Sequence, residues 1–149
     1  MREAAAMADM DEAEWRAFVV EGTRTGKLAT VRANGRPHVA PVWFVVDDDD
    51  GTLVFTTGSA TLKGRAIRRD PHVAMCVDDE TPPFAFVTIE GPVSISENLD
   101  EMLTWATRIG ARYMGEAVAE RFGRRNAVLG ELRVRLRPTK VVAQKGVAD

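Results

Sequence analysis

Cysteine and histidine are almost absent from this chain: its 149 residues include one cysteine, Cys76, and two histidines, His38 and His72. A lone cysteine cannot close an internal disulfide. Between Met75 and Val77 it reads as a small buried hydrophobe rather than a nucleophile. Neither histidine has a Cys, Asp, Glu or second His at metal-ligand spacing, which argues against a metal centre. An excess of one charge is also lacking. The 20 basic and 22 acidic side chains leave a formal charge of −2. Nothing in that balance points to nucleic acid, and no Lys/Arg-rich amphipathic helix points to a membrane surface. The longest apolar run, residues 39–46, is far shorter than the ~20 residues a bilayer-spanning helix needs. Motifs of the Gly-x-Ser-x-Gly, P-loop and Gly-x-Gly-x-x-Gly kinds are missing. Hydrolytic, metal-dependent and nucleoside-triphosphate chemistry are thereby disfavoured. The first ten residues hold acids where a signal peptide has an apolar stretch, which with the single cysteine predicts a cytoplasmic protein.

What is present is a globular balance, 45% hydrophobic and 28% charged, enough for a real core. One domain over residues 1–149 is expected, with residues 1–10 flexible. A helix is predicted over residues 11–20, capped by Asp9 or Asp11, with Trp15, Phe18 and Val19 as its apolar stripe. A strand over 27–32 leads into Ala33-Asn34-Gly35-Arg36, a hairpin turn whose Asn and Gly accept positive φ. Strands follow over 37–47 and 52–57, joined by an Asp-rich tip ending in Gly51. Residues 60–69 read as a short helix stopped by Asp70-Pro71. Strands over 72–77 and 84–96 come next, the second bent at Gly91-Pro92. Asn98 and Glu101 resemble a capping box before a long helix, and a shorter helix covers 116–122. The last strand, 129–142, sets Leu132, Val134 and Leu136 against Arg133, Arg135 and Arg137. About six antiparallel strands with flanking helices predict a mainly β, α+β fold, a closed or nearly closed barrel.

One stretch carries chemistry. Thr56-Thr57-Gly58-Ser59-Ala60-Thr61-Leu62-Lys63 ends a strand and opens a helix. Amides at a helix start are unsatisfied and sit at the positive end of the dipole. Thr57, Ser59 and Thr61 add hydroxyls, and Gly58 permits close approach. Lys63 in the first turn opposes the dipole by ~0.3–1 kcal/mol, and a bound phosphate would turn that penalty into a gain. A plain exposed helix with a basic face is the alternative. The 37–47 strand is apolar on both faces, and Pro41 interrupts its ladder. Such a strand offers backbone to a flat heteroaromatic ring, or else lies in a dimer interface.

The segment from Ala29 through Asn34-Gly35 to Pro41-Val42-Trp43 resembles the opening hairpin of the pyridoxamine 5'-phosphate oxidase-like split β-barrel superfamily. So do Thr56-Thr57, Lys63 and Arg68-Arg69-Asp70-Pro71-His72. Within it the chain looks most like the flavin/deazaflavin-dependent oxidoreductases that use coenzyme F420, though Gly64 and Ala66 stand where that branch often has larger residues and Asn. The resemblance implies an FMN-binding-like split barrel and a homodimer with two interface cofactor sites. It implies a ring along Pro41, Val42 and Trp43, and a phosphate held by Lys63 with Thr56, Thr57, Thr61 and Leu62 around it. The implied activity is hydride transfer between reduced F420 and a conjugated small-molecule substrate. An FMN enzyme and a non-catalytic carrier are the alternatives. The arginine face at 133, 135 and 137 would meet an acidic tail or anionic substrate, or simply solvent. Phe84, Phe86, Trp105 and Tyr113 are candidate apolar liners.

Overall fold

The computed structural model describes residues 7–148. Of residues 1–10, expected to be flexible, 1–6 lie outside the described residues, while Ala8 and Asp9 pair with Lys145 and Gln144 and the Met10 amide donates to the Ala143 carbonyl. The order is β1 (Ala8–Asp9), α1 (Glu12–Val20), β2 (Gly26–Val31), β3 (Pro37–Val42), β4 (Val45–Val46), β5 (Leu53–Gly58), α2 (Leu62–Arg69), β6 (His72–Asp79), β7 (Ala85–Ser96), α3 (Leu99–Met114), α4 (Glu116–Asn126), β8 (Glu131–Leu136) and β9 (Lys140–Lys145). All pairings are antiparallel, and the curled sheet runs β3-β2-β6-β7-β8-β5-β4, with β9 joining β7 to the short β1. This is the split β-barrel of the expected α+β class.

Nine strands stand among the described residues where about six were expected. One extra is β1. The other two arise where predicted strands break at corners. The predicted 37–47 strand pairs with β2 only as far as Val42 opposite Gly26, and then Val45 and Val46 pair with β5 instead. At the corner, side chains of α3 replace the ladder: the Phe44 amide donates to the Tyr113 hydroxyl at 3.2 Å, and its carbonyl accepts from Arg112 at 2.7 Å. The predicted 129–142 strand breaks at Pro138, which has no amide to donate. β9 and β8 then occupy one edge of β7 in succession, Glu90 opposite Lys140 and Val93 opposite Leu136.

Local signals hold elsewhere. Gly35 takes φ 82° in the β2–β3 turn, a conformation L side chains rarely adopt. Asp11 closes a capping box with Glu14 on α1. Asn98 caps α3 by accepting from the Asp100 and Glu101 amides, but Glu101 binds the Ser96 hydroxyl, which in turn accepts from the Asn98 amide. The box is thus closed through a serine.

Inside the barrel Leu28, Phe44, Leu53, Phe55, Ile67, Met75, Ile89 and Leu132 are fully enclosed. Outside it, α3 covers β5 and β8 with Met102, Trp105 and Ile109, all buried, and buries Val54 beneath them. Helix α4 lies close on α3, because a Cβ on Gly123 would fall 2.0 Å from Thr107 Oγ1 and one on Gly110 would fall 2.9 Å from Phe122. Among the described residues no helix is long and apolar enough to cross a membrane.

The barrel corner at Gly91 is equally tight: an added Cβ would sit 1.9 Å from the Arg137 carbonyl oxygen. Gly91→Ala should therefore lower unfolding stability by about 1–3 kcal/mol or more, as overpacking against fixed backbone does. A urea denaturation midpoint equal to wild type would refute this.

Candidate functional site

Helix α2 begins at the end of β5, and Thr61 is its cap. The Thr61 hydroxyl accepts from the Gly64 amide at 3.1 Å and donates to the Gly58 carbonyl at 2.7 Å. Its one proton is therefore committed, so in the 3.3 Å contact with Thr57 the Thr57 hydroxyl is the donor. Gly64 must be glycine here, since a Cβ would lie 2.1 Å from the Gly58 carbonyl oxygen. This close approach folds the loop tightly under the first helical turn. Among the described residues the Leu62 and Lys63 amides have no acceptor. They are the unspent donors of the helix start.

Lys63, at the second helical position, lines a groove of about 290 Å³. Pro41, Val42 and Trp43 bring the end of β3 to it, Thr56 the end of β5, Ile109 helix α3 and Phe122 helix α4. Trp43 stacks on Tyr113, centroids 4.9 Å apart and planes 4° apart, and tilts against Phe122 at 5.8 Å. Tyr113 is held in turn by donating to the Arg24 carbonyl at 2.8 Å. One wall of the groove is thus a fixed aromatic surface and one end is cationic.

Five of the eight residues singled out from the sequence meet in this groove: Pro41, Val42, Trp43, Thr56 and Lys63. Three do not line it. Thr57 is buried and bonded to Thr61, Thr61 is used as the cap, and Leu62 lies on the other side of α2 with Arg32, Asn34, Arg65 and Arg69. Of the four candidate liners, Tyr113 backs Trp43. Trp105 instead lies under Arg108 and Arg135, and Phe84 and Phe86 stand at the far end of the sheet, where Phe86 faces Gln144 across β7 and β9. Cys76 is half-buried.

The arginine face alternates as expected but is not an open surface, because α3 lies over it. Arg133 is 7% exposed. Arg135 donates to Asp47 at 2.7 Å and to Thr52 at 3.1 Å, with its guanidinium 4.9 Å from the Trp105 ring centre. The Asp-rich tip therefore supplies a counter-charge rather than a purely solvated turn.

Sequence reasoning missed Ile109, Phe122 and Glu131. Glu131 opens β8 directly opposite Gly58. Its Oε1 lies 3.7 Å from where a Gly58 Cβ would be, over the loop that leads to α2. Burial raises its carboxyl pKa above the ordinary value, and nearby Lys63 partly offsets this. No sequence signal marks it, since the proximity comes from β5–β8 pairing between distant segments.

Residues 11–143 match the family described as pyridoxamine 5'-phosphate oxidase. The chain belongs to this family. It is similar along its length to a conserved hypothetical protein from Mycobacterium tuberculosis, at 26% identity and a TM-score of 0.80, covering 98% of this chain and 91% of that one. A solved structure described as an F420 reductase is 28% identical with a TM-score of 0.65, covering 83% of this chain and 93% of that one. A curated relative, the 5a,11a-dehydrotetracycline/5a,11a-dehydrooxytetracycline reductase of Streptomyces rimosus, is 41% identical over 56 residues. That match spans 36% of this chain and 39% of the relative.

Two outcomes test the geometry of the site. Thr61→Ala should destabilise the protein by about 1 kcal/mol, the usual loss for a removed cap, measured by thermal or urea unfolding. Glu131, with its raised folded pKa, binds a proton in the native state over a range where the unfolded chain has already lost it. Stability therefore falls as pH rises from the ordinary carboxyl range through that raised value. Glu131→Gln should flatten this decline in stability-versus-pH curves, and an unchanged slope would contradict the assignment.

Proposed function

We propose that this protein is an oxidoreductase that binds coenzyme F420 in the groove and transfers a hydride between the reduced deazaflavin and a conjugated organic substrate. The observation that carries the reading is the joining of an aromatic wall to a cationic helix start within one groove. A phosphate-bearing ring cofactor has these same two parts. The donor set suits it: two unspent amides and the Lys63 ammonium for a phosphate, and Trp43 with Pro41 and Val42 for a flat ring. Thr56 adds a hydroxyl-bearing side chain to the lining. Thr57 and Thr61 act one step back, by fixing the loop that presents the amides.

When bound, a reduced deazaflavin supplies the hydride, so the chain needs to contribute position, exclusion of water and electrostatics rather than an acid–base pair. Ile109 and Phe122 exclude water from one side of the groove. We infer that a second copy of the chain closes the other side. β3 ends the sheet path; Val39 on it is 66% exposed, and Trp43, just past its end, is 39% exposed. Support for the cofactor also comes from the F420 reductase likeness, and support for a conjugated substrate from the likeness to the dehydrotetracycline reductase. FMN is the second reading, favoured by the family to which the chain belongs. A carrier that binds the cofactor without turnover would use the same groove.

Fluorescence titration of the purified protein separates these. F420 is expected to bind at micromolar concentration or tighter, and binding of FMN with none of F420 would sink the first reading. Oxidation of the reduced cofactor by one of a panel of enones, quinones and tetrapyrroles supports catalysis, whereas binding without any turnover favours a carrier. Lys63→Ala should weaken binding by at least about tenfold, since charge-assisted contacts contribute ~1.5–3 kcal/mol. A change within a factor of about two would show that Lys63 does not hold the phosphate.

A further inference from the structure

The anion seat carries its own carboxylate. Glu131 stands across from Gly58 in the β5–β8 ladder, and its Oε1 lies over Gly58, next to the Thr61 cap and the first turn of α2. Lys63, the cation of the seat, is the charged group that acts on it. On its other side the chain is tied down, because the preceding Gly130 carbonyl accepts from the Ser59 amide at 2.7 Å. The backbone that carries the carboxylate is therefore held beside the loop on both sides of Glu131, by the ladder and by this bond. Beside an ordinary phosphate site, a carboxylate is an opposing charge. Its presence makes the seat close to neutral, one cation against one anion, with the Leu62 and Lys63 amides as uncompensated donors at the helix start.

A seat of that kind discriminates by charge. A phosphodiester carries one negative charge, whereas a terminal phosphate carries about 1.5 to 2 at neutral pH. Repulsion from Glu131 grows in proportion to the ligand's charge, so the terminal group is penalised about twice as heavily. Amide donors, by contrast, serve both kinds of phosphate through similar hydrogen bonds. We propose that Glu131 sets which phosphate the seat accepts, by cancelling the advantage that Lys63 alone would give a doubly charged terminal phosphate over a singly charged phosphodiester. This rests on the reading of the groove as a cofactor site. F420 carries its phosphate as a diester and FMN carries a terminal one, so Glu131 acts as a specificity-determining residue between them. A repulsive element built against the wrong ligand is a common source of selectivity.

The test compares wild type with Glu131→Gln, which keeps the shape and removes the charge, in titrations with F420, FMN and riboflavin. Riboflavin has no phosphate and reports the ring contact alone. Glu131→Ala serves as a second variant, and urea unfolding verifies that each is folded. The expected result is a gain in FMN affinity of about tenfold, a gain for F420 of about threefold, and no change for riboflavin, since repulsion scales with charge. Equal gains for FMN and F420, a similar gain for riboflavin, or no gain for FMN would overturn the proposal. Should wild type bind FMN and not F420, the cofactor reading fails, yet the ratio of FMN to riboflavin affinity in the variant still decides the role of Glu131. Failure of wild type and both variants to bind either phosphate-bearing ligand would overturn both.

Discussion

The groove depends on a crossing of the chain at Trp43 and Phe44 that no sheet partner holds. There the polypeptide leaves one half of the split barrel and enters the other. Two side chains of α3 take over the missing backbone bonds. The Arg112 guanidinium donates to the carbonyls of Val19, Gly22 and Phe44, tying the end of α1 to the crossing. Tyr113 accepts from the Phe44 amide, donates to the Arg24 carbonyl and lies flat against Trp43. A buried backbone group without a partner is costly, so these bonds are needed for the crossing to be dry at all. They also fix the plane of Trp43, and with it the aromatic wall of the groove. The same contacts that let the barrel turn its corner therefore shape the surface beside Lys63.

What the sequence made legible follows the range of the forces involved. The hairpin at Asn34-Gly35, the Asp11 cap and the stop at Asp70-Pro71 are decided within a few residues, and each was readable. The lengths of the strands around 37–47 and 129–142 were not. Both runs are apolar enough to continue, and each ends where a distant segment offers a better partner: α3 for the first, the shared edge of β7 for the second. The candidate site divides the same way. Lys63, Thr56 and the Pro41-Val42-Trp43 segment announce themselves by local pattern. Ile109, Phe122 and Glu131 come from segments over forty positions further on and acquire meaning only when α3, α4 and β8 pack. Thr61 was legible as a helix-start residue, but its hydroxyl is consumed in making that start.

Charge on the outer face of β8 is arranged in two separate groups. Toward the Asp-rich turn, Arg135 engages Asp47 beneath Trp105, a pair largely withdrawn from water, with the exposed Asp50 carboxylate at 3.5 Å. Pairing of that kind is better understood as fixing one arrangement of the turn against α3 than as net stabilisation, since desolvation offsets much of the attraction. Toward the groove, Lys63 lines the cavity, while Glu131 lies beside the Gly58 loop, close enough to Lys63 to feel its charge but not ion-paired with it.

Arg133 lies between these groups, 7% exposed, with its Nε lacking a partner. Burial and the neighbouring Arg135 cation both lower its pKa, while Glu101 and Asp50 act in the opposite direction. It separates a rigid, internally balanced cluster from a nearly neutral seat that still has donors to offer. Had the cation lain at position 131 instead, the seat would attract any anion strongly. With Glu131 there, attraction is moderated, and on the proposal above selection among phosphates would pass to the difference between one charge and two. The order of signs along a single strand, Glu131 then Arg133 then Arg135 on one face, thus makes one end of that face structural and, on the proposed reading, gives the other its part in choosing a ligand.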